Sequence, residues 1–448
     1  MKTLLSILTL SILTLILFPV LALAAPQTGK TYRRGINMAG AEYGSSPAPG
    51  NLGQENTAYT WNNEAAYKYF AGKGLDLFRV PIRWERMQPV LNGPLDAQYL
   101  DGLKRNIAWA KKYGAQVIID VHNYGAYYRV WFDTPNPAYT ERPVPTSAHF
   151  NDLWIKLSNE FKDEPAVYAY DLMNEPAAPA VENGGGAGGT TAAAWKNNWK
   201  RISQSCVLAI RKNGDAKLIM VEGDAYAAAS NWVAHNDASA GGWISDPANN
   251  CMYSAHCYFD QDASGTYTRT FDAEITAAGG TAQAVTDRAL ARILDFINWC
   301  EKFNERGYIG EFGIPASAYD HSTHNNHHPD DRWLPVLDAF MTELDAAGMD
   351  ATYWHGGTWS PNNADPLGAL PPGYDTPDVP ATDTPHISVL TQHLSKLTPG
   401  DPAGPANPED DESGNGANNA NPANNANPAP ASAAAGDGAA GGGAPALL

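Results

Sequence analysis

The chain has 448 residues and a formal net charge of −18 at pH 7, with 48 Asp and Glu against 30 Lys and Arg. A chain this acidic is a poor partner for nucleic acid or an anionic membrane, and a neutral polymer is an easier one. Its four cysteines, Cys206, Cys251, Cys257 and Cys300, have no metal-ligand spacing.

Lys2 is followed by an apolar stretch from Leu4 to Leu21 and then by Ala22-Leu23-Ala24, the three-part pattern of a secretory signal over residues 1–24. The stretch is also long enough for an uncleaved membrane anchor, which is the alternative. On either reading the body of the protein lies outside the cytoplasm; with the signal cleaved it is expected to be a secreted, extracellular protein with no membrane contact. A monomer is expected. In an oxidising compartment the four cysteines would form two disulfides in one of three connectivities, with Cys257 to Cys300 a pairing that a crossover could bring within range.

Eight short apolar, β-branched runs follow in order: "RRGINMAG" near 33, "LDLFRVPIRW" at 75, "AQVIIDVHNY" at 115 and "AVYAYDLMNEP" at 166, then "AKLIMVEGD" at 216, "CMYSAHCYF" at 251, "RGYIGEFG" at 306 and "MDATYWHGG" at 349. Most are separated by patterns with apolar residues three and four apart, such as "LDGLKRNIAWAKKYG" and "RWLPVLDAFMTELDAAG". Strands alternating with helices imply parallel pairing, and eight such units close into a (β/α)8 TIM barrel, an α/β fold, here a single catalytic domain over residues 25–398. The unit between the fifth and sixth strands, "AYAAASNWVAHNDASAGGW", is a poor helix. A doubly wound open sheet is the alternative, but no GxGxxG follows the first strand.

The ends of these strands share a chemistry. Arg79 and Trp84 end the second; Asp120, His122 and Asn123 the third; Asn174 and Glu175 the fourth; Glu222 the fifth; His256 and Tyr258 the sixth; Glu311 the seventh; Trp354 and His355 the eighth. Pro176 cannot continue a ladder and leaves Glu175 at the rim. Any one of these residues is explained by strand-end hydrogen bonding. Two glutamates on one barrel rim are not required for stability, and the C-terminal rim is where barrel enzymes place their chemistry. A carboxylate pair suits cleavage of a glycosidic bond, which needs a proton for the leaving oxygen and a nucleophile or base for the anomeric carbon.

Further along, "DHSTHNNHHPDD" at 320–331 concentrates histidines, but a polar loop leading into a helix explains it without a metal. No metal and no cofactor are expected. After Lys396 the chain has no Lys or Arg and is dominated by Ala, Asn, Pro and Gly. Residues 399–448 therefore read as a disordered tail or linker that holds six of the negative charges.

The ordered set "VHNY", "NEP", "HCYF", "GEFG" and "YWHGG" resembles family 5 of the glycoside hydrolases, the retaining cellulase and mannanase family. "RGINMAGAEYG" and "HCYFDQDASGTYT" are similar more narrowly to its fungal-type endoglucanase branch. The resemblance implies that Glu175 is the proton donor and acid/base and Glu311 the nucleophile. It implies that Arg79 and Tyr258 hydrogen-bond the nucleophile, that Asn174 holds the sugar 2-hydroxyl, that His122 and His256 support the site, and that Trp354 is the platform at the cleavage point. His355 departs from the small residues often found at its position. Tyr43, Trp84 and Tyr124 are candidate sugar contacts, and Tyr127, Tyr128, Trp131, Trp195, Trp243 and Trp359 also fall in or near loops of the active face, where aromatic rings could stack on pyranose. Glu222 reads only as a rim hydrogen-bonding group. The expected function is a retaining endo-β-1,4-glucanase acting on β-glucan. An endo-β-mannanase and a non-catalytic carbohydrate-binding barrel are the alternatives.

Overall fold

The computed structural model describes residues 30–44, 47–177, 192–316, 328–358, 365–377 and 381–397. The eight apolar runs become eight parallel strands: β1 Arg34–Asn37, β2 Leu77–Ile82, β3 Gln116–Val121, β4 Val167–Asp171, β5 Leu218–Glu222, β6 Cys251–His256, β7 Gly307–Glu311 and β8 Asp350–Tyr353. Each pairs with its neighbours in chain order and β1 pairs with β8, so the sheet closes on itself and the open-sheet alternative is excluded.

The alternation of side chains along each strand sorts the residues into two environments. Phe78, Val80 and Ile82 of β2, Val117 and Ile119 of β3, and Ile219 and Val221 of β5 join the large core beneath the helices. Leu77, Ile118, Ala169, Leu218, Met220, Met252 and Tyr308 form a separate apolar cluster, the packed layer inside the barrel. Two residues further along the inward-facing rows of β2, β3, β4 and β5 come Arg79, Asp120, Asp171 and Glu222. Burial of the lower layer thus aims these charged groups into the barrel mouth.

Most crossovers are amphipathic helices: Glu64–Gly72, Ala97–Lys112, Ser147–Phe161, Ala192–Lys212, Ala282–Phe303 and Leu334–Ala347. Asn63, Asp96 and Thr281 cap three of them by accepting from the N–H groups of Ala66, Tyr99 and Ala284. The weak unit between β5 and β6 contains only the helix Trp232–Asn236. Before β1 and near residue 396 the chain is tied together, Tyr32 and Lys396 exchanging two backbone hydrogen bonds of 2.9 Å.

The four cysteines are free, which corrects the disulfide expectation. Cys257 lies where β6 ends, its N–H bonded to the carbonyl of Glu311, while the Cys300 sulfur packs beside Gly307 at the start of β7. The length of β7 separates them by about 13 Å, well beyond disulfide reach. Cys206 is buried, and the Cys251 thiol donates to Asp246 Oδ2 at 3.3 Å.

Trp84 is also corrected. It begins the short helix Trp84–Met87, is fully buried, and packs on Tyr127, Phe132 and Phe150 with its indole N–H on Gln88. Tyr127, Tyr128 and Trp195 are likewise buried rather than presented to a polymer. Residues 1–24, 399–448, Trp359 and most of the histidine-rich loop lie outside the described residues. Among the described residues no helix is long and apolar enough to cross a membrane.

Candidate active site

Arg79 is the centre of the barrel mouth. Its guanidinium is fully buried, and its Nε donates to Asp171 Oδ2 at 3.0 Å. Nη1 reaches Asn37 Oδ1 and Glu311 Oε1, each at 2.9 Å, and Nη2 reaches Asn174 Oδ1 at 2.8 Å, Glu222 Oε1 at 3.0 Å and Asp120 Oδ2 at 3.1 Å. The planar fork of arginine donors suits such a cluster of acceptors. Burial raises the Asp120 carboxyl to about 7 and pushes Asp171 well above the usual range, Arg79 opposing both shifts.

The two glutamates singled out in the sequence meet here. One carboxylate oxygen of Glu175 and one of Glu311 lie within 4.8 Å of each other and of a His256 ring nitrogen. Glu311 is held from both sides, by Arg79 on Oε1 and by the Tyr258 hydroxyl on Oε2 at 2.8 Å. Burial alone would raise its pKa, but the positive charges of His256 and Arg79 outweigh that and lower it. Glu175 has a backbone φ of 45° and its Oε1 lies 2.8 Å from His256 Nδ1. Burial raises its pKa to about 7 in spite of His256, with the charge of Glu311 adding to the rise. By spacing, the same three side chains could hold a cation, but each is already engaged by a neighbour.

A register slip places Glu311. Along the β6–β7 ladder Ala255 pairs with Ile309, and the next pair is His256 with Glu311. Such an irregularity re-aims a side chain at a site. Gly310, skipped in the slip, leaves room for the imidazole: a Cβ there would stand 2.8 Å from His256 Nε2.

The remaining expected residues line the mouth. His122 Nδ1 is 2.8 Å from Asp120 Oδ2 and its Nε2 is 3.2 Å from the Tyr124 hydroxyl. Burial drives the His122 pKa well below the ordinary value. The half-buried Trp354 stacks on the His122 ring with centroids 5.5 Å apart and planes 20° from parallel. Tyr43 meets both Trp354 and His355 edge-on. His355 is buried, 3.2 Å from Asp365 Oδ2, and accepts from the Gly357 N–H. Asn174 is fully buried; its Oδ1 is taken by Arg79, and its Nδ2 has no partner among the described residues.

Sequence reasoning missed Asn37, Asp171 and Glu42, and undervalued Glu222. Asp171 and Glu222 each end an apolar strand at the inward parity, a signal that was readable. Asn37 donates to the Gly310 carbonyl at 2.8 Å as well as accepting from Arg79. Burial raises the Glu42 carboxyl to about 8, and it accepts from the Gly40 N–H.

The model of the cellulase family, glycosyl hydrolase family 5, matches residues 36–360. The chain belongs to this family. It is therefore a glycoside hydrolase, and the resemblance carried by its strand-end motifs is borne out. An endo-β-1,4-glucanase A from Emericella nidulans is 28% identical over 346 residues, covering 77% of this chain and 89% of that protein. An endo-β-1,4-glucanase from Xanthomonas axonopodis pv. citri, solved with three substitutions, is 30% identical with a TM-score of 0.62, covering 81% of this chain and 99% of that one. A Pseudomonas stutzeri endoglucanase solved with cellobiose is 28% identical with a TM-score of 0.63, covering 83% and 94%. In this family 5 chain, Arg79, His122, Asn174, Glu175, His256, Tyr258, Glu311 and Trp354 converge on one mouth with Tyr43 and Tyr124 at its edge. Trp84 stands apart.

Proposed function

We propose that this family 5 hydrolase is a retaining endo-β-1,4-glucanase in which Glu311 is the nucleophile and Glu175 the acid/base. The observation that carries the reading is the carboxylate pair itself, within 4.8 Å and with proton affinities pushed in opposite directions. Retaining glycosidases hold their carboxyl groups about 5 to 5.5 Å apart, whereas inverting ones need about 6.5 to 9.5 Å to admit a water.

In the first step Glu311 attacks the anomeric carbon while Glu175 gives its proton to the departing glycosidic oxygen, leaving a glycosyl ester on Glu311. Glu175, now a carboxylate, takes a proton from water in the second step, and the water oxygen displaces Glu311 and restores both groups. The unpartnered Nδ2 of Asn174 suits a donor to the sugar 2-hydroxyl, and Trp354 with Tyr43 offers flat faces for the ring. The names of the relatives, and cellobiose in one of them, support a β-1,4-glucan as the substrate. The leader read at 1–24 supports export, and the acidic net charge suits a neutral polymer. We read the active unit as a monomer, with the domain at 25–398 and the segment at 399–448 dispensable for chemistry.

The test is release of reducing ends from carboxymethyl-cellulose, β-mannan, xylan and lichenan side by side. The glucans should lead. A mannan rate clearly above them would replace the glucanase reading.

A further inference from the structure

Glu222 ends β5 at the inward-facing parity and is fully buried. Its two oxygens divide between the two halves of the catalytic pair. Oε1 accepts from Arg79 Nη2 at 3.0 Å, the arginine that also grips Glu311. Oε2 accepts the backbone N–H of Glu175 itself at 2.5 Å. Glu175 has a left-handed φ, a strained conformation for a non-glycine residue that persists only when neighbours impose it. The Glu222 acceptor is such a neighbour.

The third contact concerns charge. His256 Nε2 lies 3.2 Å from Glu222 Oε1, an oblique approach rather than a straight hydrogen bond, while Nδ1 faces Glu175 Oε1 at 2.8 Å. A ring nitrogen lone pair that close to a carboxylate would be repelled by it, so Nε2 carries a proton. Nδ1 is then left to share a second proton with Glu175. The groups facing this chain are Arg79 from β2, Asp120 from β3, Asp171 and Glu175 from β4 and its end, and Glu311 from β7, with the phenols of Tyr124 and Tyr258 beside the two catalytic carboxylates.

We propose that Glu222 is a positioning residue for the acid/base: it holds the Glu175 backbone and, by fixing the proton on His256 Nε2, keeps the proton destined for the leaving group on the Glu175–His256 pair. In the resting site that one proton sits on Glu175 Oε1 or on His256 Nδ1. Donation moves it to the glycosidic oxygen, and the water of the second step returns one in its place. The inference rests on Glu175 being the acid/base.

Glu222→Gln keeps the shape and removes the charge. With one anion fewer, every proton in the cluster is held less tightly, so the alkaline limb of kcat/KM moves to lower pH. In either orientation the amide NH2 also confronts a donor, Arg79 and His256 at the place of Oε1 or the Glu175 N–H at the place of Oε2. On aryl β-cellobiosides, kcat/KM should fall about 100-fold for a poor phenol leaving group and less than about 10-fold for an acidic one, with the alkaline limb lowered by about one pH unit. Equal losses on both substrates with unmoved limbs, or no loss, would overturn the proposal.

If this variant does not fold, the wild-type full chain supplies a second measurement, ¹⁵N NMR of the histidine side chains. His256 should show Nε2 protonated throughout pH 5 to 8, and an unprotonated Nε2 would overturn the proposal. Glu175→Ala on the same substrates separates the two readings. Should it lack leaving-group dependence, the acid/base assignment fails; should it keep that dependence while Glu222→Gln shows none, only the role of Glu222 fails.

Discussion

Glu175 and Glu311 carry the same functional group a few ångströms apart and differ in their neighbours: Glu311 has an arginine and a tyrosine hydroxyl, Glu175 a histidine. The first step of the proposed mechanism needs Glu311 ionised and Glu175 protonated. Activity should therefore rise as pH climbs through the lowered pKa of Glu311, below the ordinary 4.5, and fall as pH passes about 7, where Glu175 loses its proton. A bell-shaped kcat/KM profile with its plateau on the acid side of neutrality is the expected result, and a rate still rising above pH 8 would contradict it. The roles also separate by mutation. Glu175→Ala should lose nearly all activity on cellulose yet release the first equivalent of an acidic phenol from an aryl cellobioside as a burst, because a good leaving group departs without a proton. Glu311→Ala should give no burst with either substrate, since the ester cannot form.

At the level of elements, the β6–β7 slip and Gly310 act together: the slip brings Glu311 opposite His256, and the missing Cβ leaves the imidazole its seat. Gly310→Ala should push His256 off Glu175 and Glu222, lowering kcat/KM more than about 10-fold while costing about 1 to 3 kcal/mol of stability, as overpacking generally does. Circular dichroism melts beside kinetics would check this, and wild-type turnover in that variant would show that the ring has slack. The strands were legible because each is an apolar run ending in a polar group, and the meeting of Glu175 and Glu311 because motif and rim position agree. Trp84 was misplaced because the end of a strand does not reveal which way the next turn rotates: one helical turn carries the ring under the loops. The slip itself was invisible, since "GYIGEFG" offers no local sign of which residue faces inward. Glu222 was undervalued because "VEGD" names an acid without its three partners, which come from β2, β4 and β6.

Across the whole molecule, one apolar cluster fills the barrel and a larger one packs the sheet against its helices, with no covalent cross-link among the four free cysteines. The cysteine count suggested otherwise, since spacing along the chain says nothing about which end of a barrel a thiol occupies. Thiol titration of the denatured, unreduced protein should find four reactive groups, and dithiothreitol should leave the melting temperature unchanged; two or fewer thiols would restore the disulfide reading. The pairing of Tyr32 with Lys396 has a consequence of another kind. Both residues lie at the end of the barrel where the strands begin, and the catalytic mouth lies where they finish. A matrix or carrier attached through either flank grips the same corner, so an immobilised enzyme turns its cleft outward toward an approaching fibre whichever flank is used. A short bridge between residues 32 and 396 would circularise the barrel, leaving new ends to be opened on its surface.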